Sequence, residues 1–186
     1  MDEINRDERV WEEEDNAVFC RAADPWGCYG NMAGGYGFTD PETGLFWRSS
    51  EAWYQAQRFP ADAELQEAIR DAANGFLAKK VAHARVSESR ADWLNVNIAL
   101  MARAIELKCT NARFADELLA SGDRDIVELS SRDAFWGAKP IGGGRLKGAN
   151  VLGQLLMRQR GKLRAARAAT SGRKHAGLAA ALMGGN

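Results

Sequence analysis

Between residues 24 and 44 the chain carries Gly27, Gly30, Gly34, Gly35, Gly37 and Gly44 together with Pro25 and Pro41. A stretch so rich in residues that break regular elements reads as loop, with the turn Asp40-Pro41-Glu42-Thr43-Gly44 lying between short strands. Strand-like Val18-Phe19 precedes it and Leu45-Phe46-Trp47 follows. Everything from Ser49 onward is then dominated by helical periodicity. The fold class expected is therefore α+β, predominantly α-helical with a few short strands, in one compact domain, as a chain of 186 residues allows.

Capping residues punctuate the helical part. Ser49 or Ser50 can open the first helix, which ends at Phe59-Pro60 because the residue before proline disfavours helix. Asp62 starts a second helix that places Leu65, Ala68, Ile69 and Ala72 on one face, and residues 76–84 form a shorter one. Ser89-Arg90-Ala91-Asp92 has capping-box spacing and predicts a long helix to Cys109, burying Trp93, Val96, Leu100, Met101, Ala104 and Leu107. Residues 111–121 give a further helix, 126–129 a strand, 140–148 a glycine-rich loop, and Asn150 caps the last helix. Residues 1–16 read as an acidic extension, 17–160 as the domain, and 161–186 as a flexible basic Gly/Ala-rich tail.

Lysines and arginines balance aspartates and glutamates at 25 each, so net charge does not point to a nucleic acid or a membrane. The basic tail alone leaves room for a polyanion. Cys20, Cys28 and Cys109 are odd in number and lack metal spacing, and His83 and His175 complete no zinc pattern with them. A metal site is not expected. With no spanning apolar run and no basic leader, a cytoplasmic protein is expected.

Four segments offer chemistry. Glu51 follows the capping serines beside Trp53 and Tyr54, at a helix start whose dipole favours its ionised form. That suits a base or a cation stabiliser, although ordinary capping uses the same residue. Trp93 opens the long helix, as a core aromatic or as a flat face for a planar base. Asp133 sits in Ser130-Ser131-Arg132-Asp133-Ala134-Phe135-Trp136-Gly137, a loop after a strand, where it can act on a ligand or simply make the turn. Gly142-Gly143-Gly144-Arg145-Leu146-Lys147-Gly148-Ala149-Asn150 combines glycines, cations and a helix start in a possible phosphate cradle.

These segments, taken in order, resemble the YbiA-like, or NADAR, superfamily of N-glycosidases across residues 18–160. Gly27 to Asn31 is similar to the family segment ending Ser-Asn-Phe. Trp47, Ser50-Glu51, Tyr54-Gln55-Ala56-Gln57 and Phe59 fit its hallmark run. Arg90, Asp92 and Trp93 fit Arg-x-Asp-Trp; Asp133, Trp136 and Gly137 fit Asp-x-x-Trp-Gly; Gly148, Asn150, Leu152, Gly153, Leu156 and Met157 fit the closing helix. The resemblance implies a single YbiA-like domain that hydrolyses a ribose–nitrogen bond without metal or redox cofactor. Glu51 and Asp133 would be catalytic; Trp93, Asn31, Trp136, Lys147 and Asn150 would bind substrate. The implied partner is a small nucleotide-like molecule, either a pyrimidine ribosylamine phosphate of riboflavin synthesis or an ADP-ribosylated guanine, the latter bringing nucleic acid. Gly30, Met32, His83 and residues 138–144 depart from the family pattern around the expected pocket. A non-catalytic module binding ADP-ribose or NAD derivatives would keep Trp93 and the glycine loop but tolerate loss of Glu51, and a purely structural reading would pack every one of these residues in the core.

Overall fold

The structure is a computed structural model that describes residues 4–183, with side chains described as far as Ser171. Strands β1 (Arg9–Glu12) and β2 (Ala17–Phe19) lead into a 3-10 turn at Gly27–Tyr29 and the two-residue strands β3 (Phe38–Thr39) and β4 (Phe46–Trp47). Helices α1 (Ser50–Ala56), α2 (Ala63–Asp71), α3 (Gly75–His83), α4 (Trp93–Lys108) and α5 (Ala112–Ala120) follow. Strands β5 (Ile126–Glu128), β6 (Lys139–Gly142) and β7 (Arg145–Gly148) precede the long α6 (Val151–Met183). The short strands make three small sheets: antiparallel β1-β7-β6, parallel β2-β5 and antiparallel β3-β4. Among the described residues no helix is long and apolar enough to cross a membrane.

Side-chain caps explain most helix starts. Ser49 accepts from the Ala52 amide at 3.2 Å, Asp62 from Leu65 at 2.9 Å, Asn74 from Leu77 at 2.9 Å and Asn111 from Phe114 at 3.3 Å. Each satisfies an amide that the first turn leaves without a partner. The capping box expected before α4 does not form. Ser89 Oγ instead donates to Val86 O at 2.7 Å, and the Asp92 carboxylate is engaged by Arg90. The buried ridge of α4 also differs from expectation: Asn97, Ile105 and Lys108 are buried with Trp93, Met101, Ala104 and Leu107, while Val96 and Leu100 are only half-buried. The polar members of that ridge were invisible to a reading by hydrophobicity.

Helix α1 is the centre of the packing. All its residues are buried, and it packs against α2, α3 and α4. Helix α6 packs against α4, α5 and β5, burying Val151, Leu152, Leu155 and Leu156, each contributing on the order of 1.5–3 kcal/mol through apolar burial. A Cβ on Gly153 would stand 2.0 Å from Ile126 O, so this helix reaches β5 only because position 153 has no side chain. Below it, Tyr29 meets Phe19 and Phe114 edge-on at 5.9 and 6.4 Å. Lys108 enters this apolar pocket and donates to Cys28 O at 2.7 Å and Gly30 O at 3.0 Å. Burial pulls its ammonium down to about 7, and the two carbonyls anchor the loop that carries Asn31.

The expectation of a glycine-rich loop over residues 140–148 is corrected. The segment is a β-hairpin turning at Gly142, Gly143 and Gly144, whose φ values of 87°, 64° and 67° are open to glycine. Arg145-Leu146-Lys147 alternates as a strand should: Leu146 is fully buried against Trp11, Val127 and Ala138 while its neighbours face out. Strand β1 covers this hairpin, so residues 9–12 of the stretch read as an acidic extension are paired with residues 145–148. Of the stretch read as a tail, residues 161–183 continue α6; Arg164 bonds Asp123 at 2.7 Å and Arg167 is paired with Asp116. The remainder, 184–186, lies outside the described residues.

Candidate active site

A cavity of about 600 Å³ opens between the start of α1, the side of α3, the Gly27–Tyr29 turn and the loop after β5. The loop residue Asn31 links the first two walls. Its carbonyl accepts the Glu51 amide at 3.1 Å, Ser50 Oγ lies 3.2 and 3.1 Å from its two oxygens, and its Nδ2 lies 3.0 Å from Met101 Sδ. Asn31 is buried, and its role in the structure is to fix the first turn of α1.

Glu51 stands in that turn with 5% of its surface exposed. The helix start was expected to hold it ionised. The structure corrects the cause. The Glu51 and Ala52 amides are already bonded to Asn31 and Ser49, and burial pushes the carboxyl above its ordinary value. What pulls in the other direction is Lys79, with Nζ 3.8 Å from Oε1, then the Gln55 amide at 2.9 Å, then Arg58. Lys79 from α3, Gln55 within α1 and Arg58 just beyond it oppose that burial without reversing it, and a dipole worth tenths of a kcal/mol cannot offset burial of a carboxylate.

Arg58 completes a chain. Its Nε donates to Gln55 Oε1 at 2.8 Å, Gln55 donates to Glu51, and the guanidinium lies 4.1 Å over the Trp93 ring. Trp93 packs on Tyr54 at 5.0 Å, and Tyr54 meets Trp136 edge-on at 6.0 Å. Glu51, Asn31, Asp133 and Trp136 all line the cavity. Trp93 does not: it backs Arg58 and Tyr54, so the flat face expected for a planar base is taken by a guanidinium in this structure.

Asp133 Oδ1 accepts from the Phe135 and Trp136 amides, both at 2.9 Å, while the Asp133 amide donates to Ser130 Oγ at 3.0 Å. This turn holds the half-buried carboxylate at the cavity wall, and among the described residues no hydrogen bond reaches its Oδ2.

Two expected ligand-binding residues are elsewhere. Lys147 points outward from β7, with Nζ 3.7 Å from Glu8. Asn150 is fully buried at φ 51°; its Nδ2 donates to Ile126 O at 2.8 Å and its Oδ1 accepts from the Glu128 amide at 3.1 Å. It clamps β5 to the head of α6. The phosphate cradle assigned to 142–150 is therefore not part of this cavity. The cations that do line it are Arg58, Lys79 and Arg132, with His83 beside them. Glu128, at the end of β5, also lines it and was missed, as were Lys79 and Arg58. The one clue was position: strand ends and the loops beyond them carry function.

Comparison with known proteins gives a consistent result. The family model described as NADAR domain matches residues 7–164. The chain is 33% identical over 149 residues to a Nostoc punctiforme protein named N-glycosidase Npun_R5314, covering 78% of this chain and 91% of that one. It is 33% identical over 146 residues to N-glycosidase YbiA of Escherichia coli, covering 78% and 86%. Against the Vibrio vulnificus riboflavin biosynthesis protein VVA0006 identity is 35% over 136 residues, 73% of this chain but only 36% of that longer protein. The NMR structure of Escherichia coli YbiA superposes with a TM-score of 0.69 at 30% identity, covering 82% of this chain and 88% of that one.

Proposed function

The chain belongs to the NADAR domain family, and from that premise we propose that it is an N-glycosidase that hydrolyses the bond between a ribose carbon and a nitrogen in a nucleotide-like molecule. The observation that carries this reading is the convergence of Glu51 and Asp133 on one cavity, each held by hydrogen bonds that fix its direction. Breaking a glycosidic bond develops positive charge at the sugar carbon, which a neighbouring carboxylate stabilises while a water attacks. Glu51, its charge supported by Lys79, fills both needs: it faces the sugar carbon and takes a proton from the water. Asp133 accepts a sugar hydroxyl through Oδ2. Lys79, Arg58 and Arg132 supply positive charge for a phosphate, in place of Lys147.

The substrate we favour is a ribosylaminopyrimidine phosphate. Relatives named as riboflavin biosynthesis proteins and a cavity suited to a single nucleotide support it. An ADP-ribosylated guanine is the second candidate. The free thiols of Cys20, Cys28 and Cys109 accord with a cytoplasmic setting.

Incubating the protein with a ribosylaminopyrimidine phosphate, and separately with an oligonucleotide carrying ADP-ribosyl guanine, tests the reading by product mass. The expected result is release of ribose 5-phosphate and the free amine from the first. Both compounds returned intact, with a ligand-induced rise in melting temperature, would instead identify a binding module.

Trp93 separates two accounts of the pocket. Phenylalanine keeps the packing on Tyr54 but offers a guanidinium a weaker face. Trp93→Phe should therefore lower kcat about fivefold through a loosened Arg58–Gln55–Glu51 chain and leave KM within about twofold. A raised KM at unchanged kcat would show that the indole stacks on the substrate after all.

A further inference from the structure

Glu128 has no part in the reaction described so far, yet its carboxyl shares the cavity with Glu51 and Asp133. Its backbone is held on both sides: the amide donates to Asn150 Oδ1, and the carbonyl accepts from Ala138 N at 2.8 Å. Its side chain lies along Gly137, where a Cβ would stand 3.3 Å from Glu128 Oε2 and 2.6 Å from Glu128 O. A side chain at 137 would collide with the Glu128 carbonyl and press on its carboxyl.

Acidic side chains that share one partly enclosed space disfavour each other's charge, and the partners each one has decide how far that is offset. Glu51 receives the Gln55 amide and faces Lys79. Asp133 receives two backbone amides. Among the described residues the Glu128 carboxyl receives no hydrogen bond, and Asp133 and Glu51, which line the same cavity, both oppose its charge. We propose that Glu128 is the general acid of this site, the group that delivers a proton to the departing nitrogen; this rests on the N-glycosidase reading above.

The groups around it are Glu51 from α1, Arg58 just beyond α1, Lys79 and His83 from α3, and Arg132 and Asp133 from its own loop. Burial, then Asp133, then Glu51 raise the Glu128 carboxyl to about 7 against the opposing pull of Lys79. A carboxylic acid poised there is protonated often enough to act near neutrality and acidic enough to give its proton up. His83 does not duplicate it, because burial, Lys79 and Arg58 all move the imidazole below its ordinary value.

The step balances without an added reagent. As the ribose C1′–N bond breaks, its electron pair leaves with nitrogen, which takes the Glu128 proton. Water oxygen bonds to C1′ and passes one proton to Glu51. The products are the free amine and the free sugar; Glu128 is left ionised and Glu51 protonated, and proton exchange through solvent restores both.

The test compares two leaving groups. A ribosylaminopyrimidine phosphate needs its nitrogen protonated, whereas 4-nitrophenyl ribofuranoside 5-phosphate departs as a stable anion. Glu128→Gln should lose on the order of 10²–10³-fold in kcat on the first and less than about tenfold on the second. Equal losses on both, or no loss on the first, would overturn the assignment. The unmodified enzyme provides a check that no variant can spoil by misfolding: its rate on the amine substrate should fall above about pH 7, and its rate on the nitrophenyl compound should not. The same high-pH fall on both compounds would also overturn it. Failure of the unmodified enzyme to cleave any ribosyl–nitrogen compound would instead remove the underlying N-glycosidase reading.

A stability readout reports on the proton without any substrate. A folded-state value raised above the unfolded one gives stability that is complete below about pH 4.5 and is lost as pH rises through about 7. Glutamine carries no such loss. Glu128→Gln should therefore gain about 5 °C in melting temperature relative to the unmodified chain between pH 4.5 and pH 8. A difference constant across that range would overturn the protonated carboxyl.

Discussion

Replacing Glu51 with glutamine should reduce turnover by about 10³-fold or more while leaving substrate binding intact. The amide has the same shape and can still meet Gln55, which donates to Glu51 at 2.9 Å in the unmodified chain. What disappears is the negative charge opposite the developing cation and the acceptor for the proton of water, two effects that each reach orders of magnitude. Binding would be read from the ligand-induced rise in melting temperature, which depends only on affinity for the folded state. The fold should not suffer. Burial raises the Glu51 carboxyl, so its stabilising contribution is complete below the unfolded value near 4.5 and declines as pH climbs through the folded one. Glutamine avoids that decline, and the variant should melt at or above the parent's temperature at pH 8. Turnover within tenfold of the parent would remove Glu51 from the mechanism.

Asn150→Ala should be the most destabilising single change near the site, by about 3–4 kcal/mol. Two buried hydrogen bonds go, leaving Ile126 O and the Glu128 amide without partners at roughly 1–2 kcal/mol each. Alanine must also adopt the positive φ of 51°, which costs roughly 1 kcal/mol that asparagine tolerates better. For a chain of this size the melting temperature should fall by about 8–14 °C. Asn150→Gly separates the causes: glycine accepts the backbone geometry and should recover about 1 kcal/mol, with the lost hydrogen bonds unrestored. Normal melting together with weakened substrate binding would return Asn150 to the ligand-binding role that its place in the closing motif implied. Since the same clamp holds the Glu128 amide, the alanine variant should also shift the pH dependence of turnover.

The legible parts of this molecule share one physical property: they depend on residues close in sequence. Ser49 and Asp62, read as caps from spacing, bond amides three residues ahead; Asn74 and Asn111 do the same at helix starts where the sequence reading had named no cap. The turn at Asp133 is equally local, its carboxylate reaching amides two and three residues on. Capping-box spacing misled at Ser89 because the carboxylate of Asp92 had a stronger claimant in Arg90. The hairpin at β6–β7 was missed for a different reason. Its glycines announced a turn, but the strands on either side hold Pro140, Lys139 and Lys147 and become a sheet only when β1, from the other end of the domain, covers them.

The sequence by itself determined that this chain is a helical α+β domain, that Glu51 stands in the first turn of a helix and that Asp133 sits in a loop after a strand, because capping and periodicity act over a few residues. Tertiary structure alone decided what those groups can do. Lys79 reaches Glu51 across helix packing, Arg58 lies over Trp93 and bonds Gln55, Asn150 is committed to β5, and among the described residues the Glu128 carboxyl receives no hydrogen bond. Charge in a protein interior is set by every neighbour within a few ångströms, whatever its distance along the chain, and that sum exists only once the chain has folded.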